Sequence, residues 1–150
     1  MPSPAPRFRE LSPDECGEIL GRHNVGRLAF SRKDRVDIEP IHYVHDDGWL
    51  YARTAAGTKL EVITHNRWVA FEVDEIDALF EWRSVVVKGG FYLLRNDGSP
   101  QEIAVYAKGV ALLRTLIPET LTPADPLPDR AIIFRIHIDE MSGRTATTKG

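Results

Sequence analysis

Thr58 and Lys59 stand side by side where a β-like run, LYART, gives way through a small glycine-containing loop to a helix-like LEVITHN. The opening of a helix offers backbone N–H groups without intrahelical partners and the positive end of the peptide dipole. A hydroxyl and an ammonium beside them complete a cradle for an anion, most naturally a phosphate. A lysine in a first turn is unfavourable against that dipole unless a bound anion offsets it. Arg53, near the end of the preceding strand, adds a second cation on the same side. The plainer reading of the same residues is a surface lysine at an ordinary helix start.

Two further groups could serve a flat ligand. Trp82-Arg83-Ser84 precedes a valine run. It offers an aromatic wall and a donor to a planar heterocycle, or else a rim residue with a salt bridge. Glu39-Pro40-Ile41-His42-Tyr43 puts a proline inside a strand. Proline cannot donate to a ladder, so it marks either an edge strand or a place where unpaired backbone groups can meet the polar edge of a ligand. His42 and His45 are three apart, which in a strand places them on opposite faces. With no HExxH and no cysteine pair, no metal site is expected. Gly-x-Ser-x-Gly, Walker and dinucleotide fingerprints are also missing, and nothing orders the Ser, His and Asp residues into a triad, so hydrolase readings have little support.

These groups need a scaffold, and 150 residues suffice for one domain with a substantial core. A net charge of −3 with no basic stripe argues against nucleic acid. No apolar run reaches the length of a membrane helix, and MPSPAPRFRE lacks the apolar core of a signal peptide. The single cysteine, Cys16, suits a reducing compartment, so the cytoplasm is the expected location. It reads as a packing residue.

Along the chain, residues 1–10 read as a loose proline-rich arm before a single domain over 11–150. Ser12, Pro13 and Glu15 predict a capped helix over Pro13–His23. From Val25 the period changes to two. VGRLAFS and VDIEPIHYVH predict a hairpin, Asp46-Asp47-Gly48 a turn and WLYART a third strand. A short helix is expected over Thr58–Asn66, and strands over Arg67–Glu75, Trp82–Leu94 and Ala131–Asp139. Gly89-Gly90 predicts a bulge or sharp bend. Gln101–Leu116 has helical spacing, whereas Pro118–Pro128 must be irregular. Glu72, Asp74, Glu75 and Asp77 read as a solvated strand end. Strands interrupted by short helices, without βαβ alternation, predict a mainly β fold: a small barrel with helical decorations.

In this order, NVGRLAFS, EPIHYVHDDGWLYARTAAGTKLEVITHNRWVAFEVDE, WRSVVVKGG and FRIHIDEMSGR resemble the pyridoxamine 5′-phosphate oxidase-like FMN-binding split barrels, nearest to the nitroimidazole-reductase-like branch. The resemblance covers residues 11–144. It implies a six-stranded split β-barrel and a homodimer with flavin at the interface. It assigns Thr58 and Lys59 to the FMN phosphate, with Arg53 and Thr54 on the preceding strand end. Pro40, Ile41 and His42 match the strand lying along the isoalloxazine, and Trp82, Arg83 and Ser84 match a second flavin-contacting strand. The oxidase's Ser-Arg-Lys run and its C-terminal Trp and Arg have no counterpart here, so vitamin B6 oxidation is not expected. The implied function is an FMN-dependent oxidoreductase taking electrons from a nicotinamide donor to a small acceptor. No catalytic residue is assigned, although His42 and Tyr43 could donate a proton near a flavin edge. The alternative is a non-enzymatic binder of FMN, haem or a deazaflavin.

Overall fold

The computed structural model describes residues 4–57, 61 and 66–149. Its elements are β1 (Arg7–Glu10), α1 (Pro13–Arg22), β2 (Val25–Arg32), β3 (Arg35–Asp46), β4 (Trp49–Thr54), β5 (Trp68–Ala78), β6 (Glu81–Leu93), α2 (Pro100–Leu113), β7 (Ile132–His137) and β8 (Glu140–Thr147).

The capping box at Ser12 forms as its spacing predicts. The Ser12 hydroxyl accepts the Glu15 N–H at 3.2 Å, and Glu15 Oε1 accepts the Ser12 N–H at 2.9 Å. Ser99 and Glu102 repeat the device at the start of α2. α1 turns Cys16, Ile19 and Leu20 into the core. Cys16 packs where Gly143 leaves room on β8, and burial pushes its thiol up.

The strands β2, β3, β4, β7, β6 and β5 close into a ring of six, because β5 returns to β2 and β6 reaches β7. β8 and β1 extend the sheet beyond β6. The turns follow local chemistry. Asp47 and Gly48, both at positive φ (43° and 82°), join β3 to β4 in the two-residue geometry that suits strand twist. β6 serves two partners in succession: Trp82–Lys88 pair with β8, and Phe91–Leu93 pair with β7. Gly89 lies at the switch, where a β-carbon would overlap the His137 carbonyl oxygen. The bend expected at Gly89-Gly90 is therefore the point where the ring parts from the added strands.

Register fixes the faces. Leu28, Phe71, Val73, Val85, Val87, Phe134 and Ile136 point into the barrel. Tyr43 joins them, its ring edge-on to Phe71 at 4.9 Å and its hydroxyl donating to the Leu20 carbonyl at 2.6 Å. A second cluster of Val110, Leu113 and Ile133 seats α2 on the outside of the ring.

The structure corrects the sequence at three places. Residues 7–10 are not a loose arm: they form β1, held by β8 in a register from Arg7↔Thr147 to Glu10↔Arg144. β8 itself is absent from the sequence reading, because MSGRTAT shows no clean apolar alternation. The acidic run on β5 is not merely solvated. The Glu75 carboxylate accepts from Arg22 Nε and Arg83 Nε, each at 2.7 Å, and is hydrogen-bonded to His23. The Arg22 hydrogen bond outweighs burial and, with Arg83 and His23, holds this carboxyl far below the usual range. The expected helix over Thr58–Asn66 lies, apart from Glu61 and Asn66, outside the described residues.

Candidate functional site

Pro40 occupies a strand paired on one side only. It faces Arg27 across β2, whereas the β3–β4 register begins at Tyr43↔Ala52. Both halves of the sequence reading therefore meet here: a proline at an edge, and backbone that no described strand covers. Beside it lies a recess of about 220 Å³ lined by Glu39, Pro40, Ile41, Arg53, Thr54, Ala55 and Arg130. Four of the residues named from sequence, Pro40, Ile41, Arg53 and Thr54, thus come together at one place. Gly57 follows Thr54 closely in the chain, and Thr58 and Lys59 lie outside the described residues.

Arg53 is buried, and most of its donors already have protein partners. Nε donates to the Arg130 carbonyl at 2.8 Å, and Nη2 donates to Asp125 Oδ2 and the Leu127 carbonyl, each at 2.6 Å. Nη1 is buried with no hydrogen-bond partner among the described residues. Asp125 matches the arginine's charge. What Arg53 can offer a ligand is accordingly a directed N–H rather than a net positive charge.

His42 opens a second recess, of about 430 Å³, with Asn24, Val25, Thr115, Leu116 and Ile117. Sequence reasoning missed the segment after α2 that walls both recesses. Its prolines announce irregular chain but not a fixed one. Yet Asp125 also accepts the N–H groups of Leu121 (2.8 Å) and Leu127 (2.9 Å), and Arg114 Nε donates to the Thr120 carbonyl at 3.0 Å. Asp125, sandwiched between short proline-flanked stretches, was the available signal for such a pin.

Trp82, Arg83 and Ser84 are elsewhere in the subunit. They lie on β6, separated from β3 by β5 and β2, three strand spacings or about 14 Å. Arg83 is tied to Glu75, and Trp82 meets Phe8 at 6.3 Å between ring centres. Ser84 Oγ lies 3.0 Å from Glu72 Oε2, and Arg27 approaches Glu72 and Asp74 at 3.6 and 3.4 Å. Burial, with Asp74 alongside, pushes the Glu72 carboxyl up. A polar line thus crosses the outer face from Arg27, opposite Pro40, to Ser84. One subunit does not bring its two ends onto the same small ligand.

The outer face of β2, β3 and β5 is also apolar. Val36, Ile38 and Trp68 are 73%, 67% and 50% exposed there.

Comparison with known proteins places this geometry. A Mesorhizobium loti structure described as an FAD-binding protein is 31% identical, with a TM-score of 0.74, over 91% of this chain and 96% of that one. A conserved Corynebacterium diphtheriae protein of unknown function is 34% identical, with a TM-score of 0.69, over 93% and 98%. An uncharacterised Rhizobium meliloti protein is 28% identical over 146 residues, 92% of this chain and 95% of its own. Residues 12–145 match the family described as pyridoxamine 5′-phosphate oxidase, and together with the six-stranded ring this shows that the chain belongs to the pyridoxamine 5′-phosphate oxidase-like split-barrel family.

Proposed function

We propose that this protein binds a flavin, FMN, at the recess beside Pro40, and that two copies pair through the outer face of β2, β3 and β5 to complete the site. The observation that carries the reading is the buried Arg53 Nη1, a donor without a partner among the described residues; Arg53 lines the recess with Pro40, Ile41 and Thr54 and stands shortly before Gly57-Thr58-Lys59 in the sequence. A buried N–H needs an acceptor, and a phosphate or ring carbonyl is one. The FAD-binding relative supports flavin as the ligand class.

In this reading Thr58 and Lys59 hold the phosphate, with Arg53 and Thr54 behind them. Pro40, Ile41 and His42 offer backbone to the ring. A partner copy would bring Trp82, Arg83 and Ser84 to the other side, which answers their separation within one subunit. The exposed Val36, Ile38 and Trp68 supply apolar surface for that pairing. When bound, the flavin supplies the redox chemistry, and the protein positions it and keeps water away. The function is then that of an oxidoreductase taking electrons from a nicotinamide donor to a small acceptor, akin to the nitroimidazole-reductase-like branch. The recess beside His42 has room for such an acceptor.

The test is the absorbance spectrum of the purified protein, followed by mass spectrometry of any released ligand. Flavin bands with about one flavin per chain are expected, FMN on release, and bleaching when NADH or NADPH is added. Release of FAD would move the phosphate assignment to a longer cofactor. A Soret band would point to haem, and a colourless protein that takes up neither FMN nor FAD would overturn the reading.

A further inference from the structure

The outer face of β4 and β7 carries another cation–aromatic arrangement, at the opposite end of β4 from Arg53. Register places Trp49 and Tyr51 beside His137 and Arg135, with Tyr92 of β6 next across. Near Arg53 this face is covered, because Val110 and Leu113 of α2 pack with Ile133. Near Trp49 it is open. A recess of about 320 Å³ remains between the strands and the first turns of α2, lined by Trp49, Tyr92, Leu94, Gln101, Val105 and Arg135.

Arg135 lies flat on this aromatic surface. Its guanidinium carbon is 3.4 Å from the centre of the Trp49 ring and 6.0 Å from that of Tyr51. Nη1 donates to the Tyr51 hydroxyl at 3.3 Å, whereas Nε is buried with no partner among the described residues. Among the described residues no carboxylate pairs with Arg135. The other charges at the rim are Arg95 and Glu102. Arg95 pairs with Asp97 at 3.1 Å, and Glu102 Oε1 accepts the Ser99 N–H at 3.2 Å. A guanidinium stacked on an indole keeps its edge donors available, and their planar fork suits a carboxylate. The rest of the lining is mainly aromatic and aliphatic, with Gln101, Arg95 and Glu102 toward the rim, so an apolar, flat body on that carboxylate fits it. The volume suits a single ring with a short acidic arm.

We propose that this recess binds a small organic monocarboxylate carried on an apolar ring, with Arg135 holding the carboxylate and Trp49, Tyr92, Leu94 and Val105 holding the ring. The site stands apart from the recess beside Pro40 and does not depend on the flavin reading.

Calorimetric titration of the intact protein with phenylacetate tests it, with benzylamine as the probe of opposite charge. Phenylacetate is expected to bind saturably and benzylamine not to bind. Arg135→Gln should weaken phenylacetate binding by at least about tenfold through loss of the charge-assisted contact. Val105→Trp, which fills the recess and leaves Arg135 in place, should abolish binding. Equal binding of the two probes, unchanged binding in either folded variant, or no saturable binding up to roughly 10 mM would each overturn the proposal. If Arg135→Gln fails to fold, Val105→Trp decides. Flavin uptake measured on the same samples should be unchanged, which separates this site's failure from that of the other.

Discussion

Arg53 Nη2 lies 2.6 Å from Asp125 Oδ2, with both side chains buried, across 72 residues of chain. This contact pins the irregular segment after α2 against β4. Removing one partner leaves a buried charge alone, which costs far more than the pair itself contributes. Asp125→Ala should therefore lower the melting temperature by roughly 5–15 °C. The double variant Arg53→Met/Asp125→Leu removes the lone charge but leaves the Leu121 and Leu127 N–H groups without their acceptor, so it should recover part of that loss and not all of it. Thermal melts followed by circular dichroism give both values, and a double variant no better than Asp125→Ala would count against this account.

Acid should loosen the same pin. Burial acts to raise the Asp125 carboxyl, but the Arg53 hydrogen bond and the N–H groups of Leu127 and Leu121 prevail and hold it at about 2, against a usual 3.8. A carboxyl lowered by folding adds stability above its unfolded value, and that stability fades as the pH falls through the folded one. Glu75 is shifted in the same direction. The melting temperature should thus fall between about pH 4 and pH 2. The fall should be shallower in Asp125→Asn, and equal slopes in the two proteins would remove Asp125 as a source.

The capped helix α1, the β2–β3–β4 meander and the β6 bend were legible in sequence because each rests on local chemistry, whereas the Ser99 cap of α2 went unread. Ser12 and Glu15 lie three residues apart, and Asp47-Gly48 makes its own turn. The ring closure and the Asp125 pin were not legible, because their partners are distant in sequence. Nothing near Arg53 announces that its charge is matched by a residue 72 positions later. Arg53 accordingly read as a free cation. The β1–β8 pair escaped for the same reason, since Arg7 finds Thr147 only in the folded chain. Pro40, Ile41 and Thr54 line one recess; the ordered resemblance singled them out separately, Pro40 and Ile41 for the ring strand and Thr54 for the phosphate end, with backbone periodicity supplying only their strands.

Gly89 and Gly90 should respond differently to alanine. At Gly89 the added carbon meets backbone, the His137 carbonyl, which cannot move without opening the β6–β7 seam. At Gly90 it meets the tip of the Tyr92 ring at 3.0 Å, which can shift. Urea unfolding should show a loss of roughly 3 kcal/mol or more for Gly89→Ala and clearly less for Gly90→Ala.

Pairing through the apolar outer face makes Ile38→Asp the decisive surface change. Light scattering after gel filtration should give the mass of two chains for the wild type and of one for the variant. Burying a carboxylate in a dry interface is costly, so the shift should be complete at micromolar protein. A monomeric wild type would remove the pairing proposal at once.

Lys59→Ala removes the proposed phosphate cation. Loss of one charge-assisted hydrogen bond should weaken FMN binding by about 10- to 100-fold, with an unchanged melting temperature for the apoprotein. Fluorescence titration with FMN reads the affinity. Unaltered affinity would place the phosphate elsewhere.

The β4–β7 seam has a consequence for the chain as it is made. Trp49 pairs with His137 and Thr54 with Ile132, so β4 gains its second neighbour only after β5, β6 and α2 have been made. Pairings this far apart in sequence form late, because a long loop must close first. That seam carries Tyr51 beside Arg135 and Arg53 beside Ile133, the floor of both recesses. A nascent chain that ends before residue 132 can build the β2–β3 and β5–β6 hairpins but neither binding recess. On the two proposed assignments neither ligand is captured until β7 is in place, and a copy clipped before residue 132 should lose both proposed affinities together.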